Sequence, residues 1–167
     1  MRQRLGLNLM LIAFCCAVTA CNDSQSDPNS ATVVISEERF TLEIAADDVS
    51  RAQGLKGRLD IPADGGMLFV FPRAERQSFW MEDCLVDMDI IFLDGQGRVT
   101  AAHPMKVESP RRSNETQQAY QRRLRGYRSV YPAQFALEFR AGTIARLGIG
   151  IERKIELDLP RLKAMAQ

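Results

Sequence analysis

The chain has 167 residues, 46% hydrophobic and 26% charged, which is a globular composition and excludes a wholly disordered or collagen-like protein. That length holds one domain with a proper core and not two ordinary ones. With 22 Lys and Arg against 21 Asp and Glu the formal charge is +1, which argues against nucleic acid as a partner, and the single histidine, His103, removes His-rich metal sites.

Arg2 and Arg4 precede an apolar run from Leu5 to Ala20, broken only by Asn8. The run falls short of the roughly 20 residues that a helix needs to cross hydrocarbon. A basic start, a short apolar stretch and small residues at its end make residues 1–20 an expected secretory signal peptide. The end, Val18-Thr19-Ala20-Cys21, resembles the bacterial lipobox, in which the cysteine receives a diacylglyceryl group, the peptide is cut before it, and the new amino terminus is acylated. Cys21 is therefore the expected lipidation site. Several acyl chains such as palmitate anchor stably, since each buried methylene adds about 0.8 kcal/mol. Residues 21–30 are polar and read as a flexible tether. Residue 22 is Asn, not the Asp that resembles an inner-membrane retention signal, so the expected place is the periplasmic face of the outer membrane. Cys15 and Cys16 depart with the leader and Cys21 carries lipid. Cys84 alone can form neither an internal disulfide nor a zinc cluster.

Residues 31–167 are expected to form one domain. Residues 31–35 are rich in β-branched side chains and 39–44 alternate at period two, which predicts two strands with a turn at 36–38. Asp47 or Asp48 caps a short helix running to about Leu55, closed by Gly54 or Gly57. Residues 59–66 are a loop of turn formers. The apolar run 67–71 predicts a strand covered on both faces, and 78–81 continues its aromatic theme. A strand over 88–93 leads through the turn 94–97 into another over 98–102. A long polar stretch follows, then a strand over 135–139, a helical turn over 141–147 and a closing strand over 154–159. The sum is an α+β fold, mainly antiparallel β, with about seven short strands and one or two short helices. A partly closed barrel would accommodate such strands.

Between Gly54 and Gly142 stand Gly54-Leu55-Lys56-Gly57-Arg58, Gly66-Met67-Leu68-Phe69-Val70-Phe71, Phe79-Trp80-Met81, Asp89-Ile90-Ile91-Phe92-Leu93-Asp94, and Leu137-Glu138 with Ala141-Gly142. In order and spacing these motifs resemble the bacterial and archaeal family called "domain of unknown function 192". The resemblance implies a compact β-rich domain, often secreted or lipid-anchored, without an established activity. Two departures stand out. Glu82-Asp83-Cys84 replaces the family's usual Lys-Asn-Thr and reverses its charge, and residues 110–131 form a longer loop than usual.

The acidic block Glu82, Asp83, Asp87 and Asp89 has oxygen ligands for a cation but no EF-hand spacing, and reads better as a solvated connection. Cys84 and His103 are the one thiol–imidazole pair available, yet a lone thiol beside Leu85 and Val86 reads as a small buried hydrophobe. The aromatic cluster of Phe69, Phe71, Phe79 and Trp80 belongs to the core on one side. Alternation sets Trp80 opposite Phe79 and Met81, so the other side is free to line a groove. With Arg58, Asp89 and Glu138 it would form a pocket for a sugar or peptide fragment. The long loop carries Arg111, Arg112, Arg122, Arg123, Arg125 and Arg128 against Glu115 alone, with Tyr120, Tyr127 and Tyr131 interleaved. Arginine forks suit anionic lipid, lipopolysaccharide phosphate or cell-wall polymer, although a merely solvated insertion is the plainer reading. The expectation is an envelope lipoprotein acting as a ligand-binding or assembly module, with no metal and no cofactor. One alternative is an enzyme on envelope glycan or peptide using Asp89 and Glu138 as paired carboxylates. Another is a structural partner of an envelope protein, docking through the arginine loop.

Overall fold

A computed structural model describes residues 27–167. The expected signal peptide, Cys21 and the first part of the tether lie outside the described residues. Period-two patterning places Ala31, Val33 and Ile35 of Ser30–Ile35 (β1) inward, and Phe40 and Leu42 of Glu38–Ala45 (β2) meet them. The two strands form an antiparallel hairpin closed by Ser36 and Glu37, both at positive φ (49° and 70°), as a two-residue primed turn requires.

The Asp47 carboxylate accepts from the backbone N–H of Val49 and Ser50, both at 2.9 Å, and so starts the helix Asp48–Gln53 (α1). This helix and the loop after it carry the chain back across the sheet. The next strand, Gly65–Glu75 (β3), therefore lies parallel to β2. Ser78–Phe79 (β4) leaves the sheet. Met88–Leu93 (β5) and Val99–Met105 (β6) make the expected hairpin. Gln117–Arg123 (α2) and Tyr127–Arg128 (β7) lie in the long loop, and β7 pairs with β4 as a separate two-stranded ribbon. Ala133–Arg140 (β8) then enters between β3 and β5, antiparallel to both. Thr143–Leu147 (α3) and Leu159–Met165 (α4) close the described chain.

The sheet order is β1-β2-β3-β8-β5-β6. It is mixed rather than purely antiparallel, because the helical crossover makes β2–β3 parallel. It is open rather than a barrel: β1 and β6 are unjoined edges, and each face is covered by its own apolar cluster. Residues 154–159 do not form a strand. They make a single bridge, Arg98 to Lys154, before α4 begins at Leu159; Ile155 is buried between the exposed Lys154 and Glu156, so the alternation appears without a paired strand. Asp158 then accepts from Arg161 N–H, and with Pro160 in the first turn this starts α4.

Gly66 fixes how closely β3 and β8 approach. It sits at φ 147°, and a Cβ there would stand 2.1 Å from the Glu138 carbonyl oxygen. Gly66→Ala should lower stability by about 1–3 kcal/mol in urea unfolding, because backbone cannot yield as a flexible side chain does. Gly150→Ala, whose Cβ meets nothing within 4 Å, should stay within about 0.5 kcal/mol. Equal midpoints for the two variants would refute this account of Gly66.

Candidate functional site

Strand β8 presents unlike faces. Phe135, Leu137 and Phe139 pack with Leu68, Val70, Ile91 and Leu93 on one side. On the other side Ala136 lies in register between Phe69 of β3 and Phe92 of β5. The small side chain leaves room above it, and Phe79 enters edge-on to Phe69 at 4.9 Å and to Phe92 at 5.5 Å. Alternation after Phe79 turns Trp80 outward, 47% exposed, and Met81 back into the core.

Between these aromatics and α1 lies a cleft of about 430 Å³. Phe69, Phe71, Phe79 and Trp80 supply its apolar walls. Arg51, Gln53, Lys56, Gln77, Glu82, Gln121 and Glu138 supply its polar groups. Most of the charged ones are already engaged. Arg51 donates to the Val70 carbonyl at 2.8 Å, to Asp48 at 2.6 Å and to the Gln167 carbonyl at 2.7 Å. Glu82 takes the Lys56 ammonium at 2.5 Å, and the Gln117 and Gln121 amides donate to its other oxygen at 2.7 Å each. Burial works against ionisation of Glu82, but Lys56 and Gln121 outweigh it and hold the carboxyl below the ordinary range.

Glu138 is different. It is 6% exposed, faces the same cleft, and meets no donor or cation among the described residues. No polar side-chain atom among those residues is sealed from solvent without a partner, so the Glu138 oxygens reach the cleft. Burial alone pushes its pKa up to about 8. The neighbouring Cys84 thiol is pushed up to about 12, first by burial and then by the Glu138 charge, which makes it inert as a nucleophile.

Of Arg58, Trp80, Asp89 and Glu138, the structure brings together Trp80 and Glu138. Arg58 stands outside the cleft and holds Glu43 with two bonds, at 2.6 and 2.7 Å. Asp89 is 2% exposed and accepts from Ile144 N–H at 2.7 Å, which ties β5 to the start of α3. The paired carboxylates of the enzyme reading do not converge. Asp89 is opposite Phe139 and Ile90 is opposite Glu138, so the two acids point to opposite faces of the sheet.

The acidic block is likewise dispersed. Asp83 meets the Tyr120 hydroxyl, and Asp87 takes Lys106 at 2.7 Å and Val107 N–H at 2.8 Å. Among the described residues no three His, Cys, Asp or Glu side chains gather as a metal site. His103 Nε2 lies 2.8 Å from the Arg128 carbonyl, its ring between Phe92 and Tyr127, and makes no pair with Cys84.

The arginine loop is more structured than its composition foretells. Arg123 binds Glu115 at 2.8 Å and covers the Tyr120 ring, while Arg111 donates to the Glu115 carbonyl. Arg125 lies over Tyr127. Tyr120 and Tyr127 are core residues and Tyr131 alone of the three is exposed. Arg112, Arg122 and Arg128 point to solvent. Sequence reasoning missed Lys56, Gln77 and Gln121, which reach the cleft from distant segments and carry no local signal.

The Glu138 carboxyl has a measurable consequence. An unfolded glutamate loses its proton near pH ~4.3, whereas the folded one keeps it up to about pH 8. Between those values the folded state holds the extra proton, so this group's stabilisation is full below the lower value and is lost as pH rises through the upper one. Relative to Glu138→Gln, the wild-type chain should lose about 1.4 kcal/mol per pH unit over that window and level off above it. Urea unfolding across pH 5–9 reads this directly; parallel curves for the two proteins would contradict it.

A family model described as "Uncharacterized ACR", domain of unknown function 192, matches residues 31–157. Among solved structures, a candidate transcription regulator from Sinorhizobium meliloti 1021 is 25% identical with a TM-score of 0.61, over 77% of this chain and 92% of that one. A protein of unknown function from Novosphingobium aromaticivorans is 26% identical with a TM-score of 0.58, over 76% of this chain and 83% of its own. No curated protein matches. The match to the family model takes in the six-stranded sheet apart from Ser30, together with the cleft upon it, and the chain belongs to the domain of unknown function 192 family.

Proposed function

We propose that this protein is an envelope lipoprotein, held at the periplasmic face of the outer membrane by lipid on Cys21, whose domain binds a small sugar or peptide fragment in the cleft above Glu138. The observation that carries the binding role is the Glu138 carboxyl, which is buried without a partner at an aromatic cleft. A group of that kind costs free energy unless something arrives to satisfy it. The lipid anchor rests on the Val18-Thr19-Ala20-Cys21 pattern and the polar stretch behind it. No helix among the described residues is long and apolar enough to cross a membrane.

Trp80 is the single tryptophan and lines the cleft, so its fluorescence reports occupancy. Titration with N-acetylglucosamine, its disaccharide and alanyl-alanine should give a saturable change for at least one probe, reduced tenfold or more by Glu138→Gln. A flat response to all three would count against the cleft as a site for such fragments.

The exposed Arg112, Arg122 and Arg128, with Tyr131 nearby in the chain, favour a second contact with an anionic lipid, lipopolysaccharide or cell-wall surface. Cys21→Ser should abolish fatty-acid labelling in cells, and continued labelling would sink the anchor. Any salt-sensitive binding of that variant to anionic vesicles should disappear when the three arginines become Gln; unchanged binding would remove the second contact.

A further inference from the structure

We infer that the ligand of this cleft carries a small organic ammonium group, which sets its charged nitrogen against the Glu138 carboxylate and its carbon frame among Phe71, Phe79 and Trp80. The inference rests on the cleft being a ligand site and adds the charge of what enters it.

The cleft has an uneven charge account. Its cations are taken: Lys56 by Glu82, and Arg51 by Asp48 and two carbonyls. Of its two carboxyls, Glu82 is satisfied by three donors while Glu138 has none. An arriving anion would find no unengaged cation on these walls and would bring its charge close to two acids. A cation finds an unpartnered carboxyl group that can give up its proton, and four aromatic rings, whose faces attract positive charge. One ring already does so, since the Arg51 guanidinium lies 5.6 Å from the Phe71 centroid.

The ionisable groups that share the cleft with Glu138 are Arg51 and Lys56 from α1 and the turn after it, and Glu82 and Cys84 from the segment after β4. Its neighbours across β3 and β5 are Met67 and Ile90, which neither donate nor carry charge. Entry of an ammonium therefore ionises Glu138, and the carboxyl proton leaves to solvent. No bond other than that O–H is broken.

Calorimetry on the full chain in detergent, with benzylammonium and its neutral isostere benzyl alcohol as probes, tests this. Benzylammonium should bind at least tenfold tighter than benzyl alcohol. Its heat at pH 7 should depend on the ionisation enthalpy of the buffer, showing that a proton is released. Its affinity should rise up to tenfold per pH unit below about pH 8 and flatten above it. Glu138→Gln should remove the preference, the proton release and the pH slope together, in a protein that still melts cooperatively. Benzyl alcohol binding as tightly as benzylammonium in the wild-type chain would overturn the ammonium and leave the cleft standing as a ligand site. If neither probe binds and the sugar and peptide titrations are also flat, the cleft reading falls with it.

Discussion

The backbone ladders that join β8 to β3 on one side and to β5 on the other leave no edge of that strand to water, and both of its side-chain faces lie under other elements. The two faces meet the demand unequally. One is filled by Phe135, Leu137 and Phe139, while the other offers Ala136 and then Glu138. Because Ala136 is small, the space over it must be filled from elsewhere, and Phe79 fills it from a strand outside the main sheet. Two residues further along β8, on the same face, the filling stops, the cleft opens, and Glu138 stands at the boundary between packed core and solvent. Gly66 and the aromatic cluster both serve to bring that boundary about.

Local patterning was enough to read the strands from their own residues. β1, β2, β3, β5, β6 and β8 announce themselves by alternation or by short apolar runs, and Asp47 announces α1 by its cap. What periodicity cannot convey is which strand lies beside which. The parallel β2–β3 pairing depends on a crossover whose length permits it without requiring it, and β8 becomes central only because β4 and β7 draw the intervening chain away. The alternation over 154–159 misleads for a related reason: an extended segment resting on an apolar face shows period two whether or not a strand pairs with it. The helix α2 lay hidden because it buries only Tyr120 of its seven residues, too little for an apolar stripe. At the site, Glu138 was legible as a lone acid in an apolar strand. That Asp89 would turn away from it followed from a register which no single strand encodes.

The two places where the chain departs from the family pattern touch each other. Gln117 and Gln121 of α2, in the lengthened loop, donate to Glu82, and Tyr120 meets Asp83. The family's usual Lys-Asn at those positions would set an ammonium against two amide donors and against Lys56, a like charge. Reversed charge and longer loop thus form one arrangement, in which the insertion roofs one end of the cleft and the acidic pair receives it. The arginines of the insertion that bind inward, Arg111 and Arg123, do so through Glu115 and hold the loop that carries this roof. Two of the six arginines that read as a surface patch therefore have structural partners.

Two carboxyls within one cleft are pushed in opposite directions, Glu82 below the ordinary range and Glu138 above it, and the cause in each case is its set of neighbours. The two are alike in solvent exposure, but Glu138 lies deeper beneath the protein and Glu82 meets three donors that Glu138 lacks. At neutral pH the cleft accordingly holds a fixed ion pair at its rim and a proton at its base, a division that packing alone has no reason to produce. A methionine or leucine at residue 138 would complete the apolar face between Met67 and Ile90 without the pH-dependent cost that Glu138 imposes on folding. An acid stands there instead, facing solvent space and open to a partner, and the stability forgone by keeping it is the physical reason to look for the chemistry of this domain at that carboxyl.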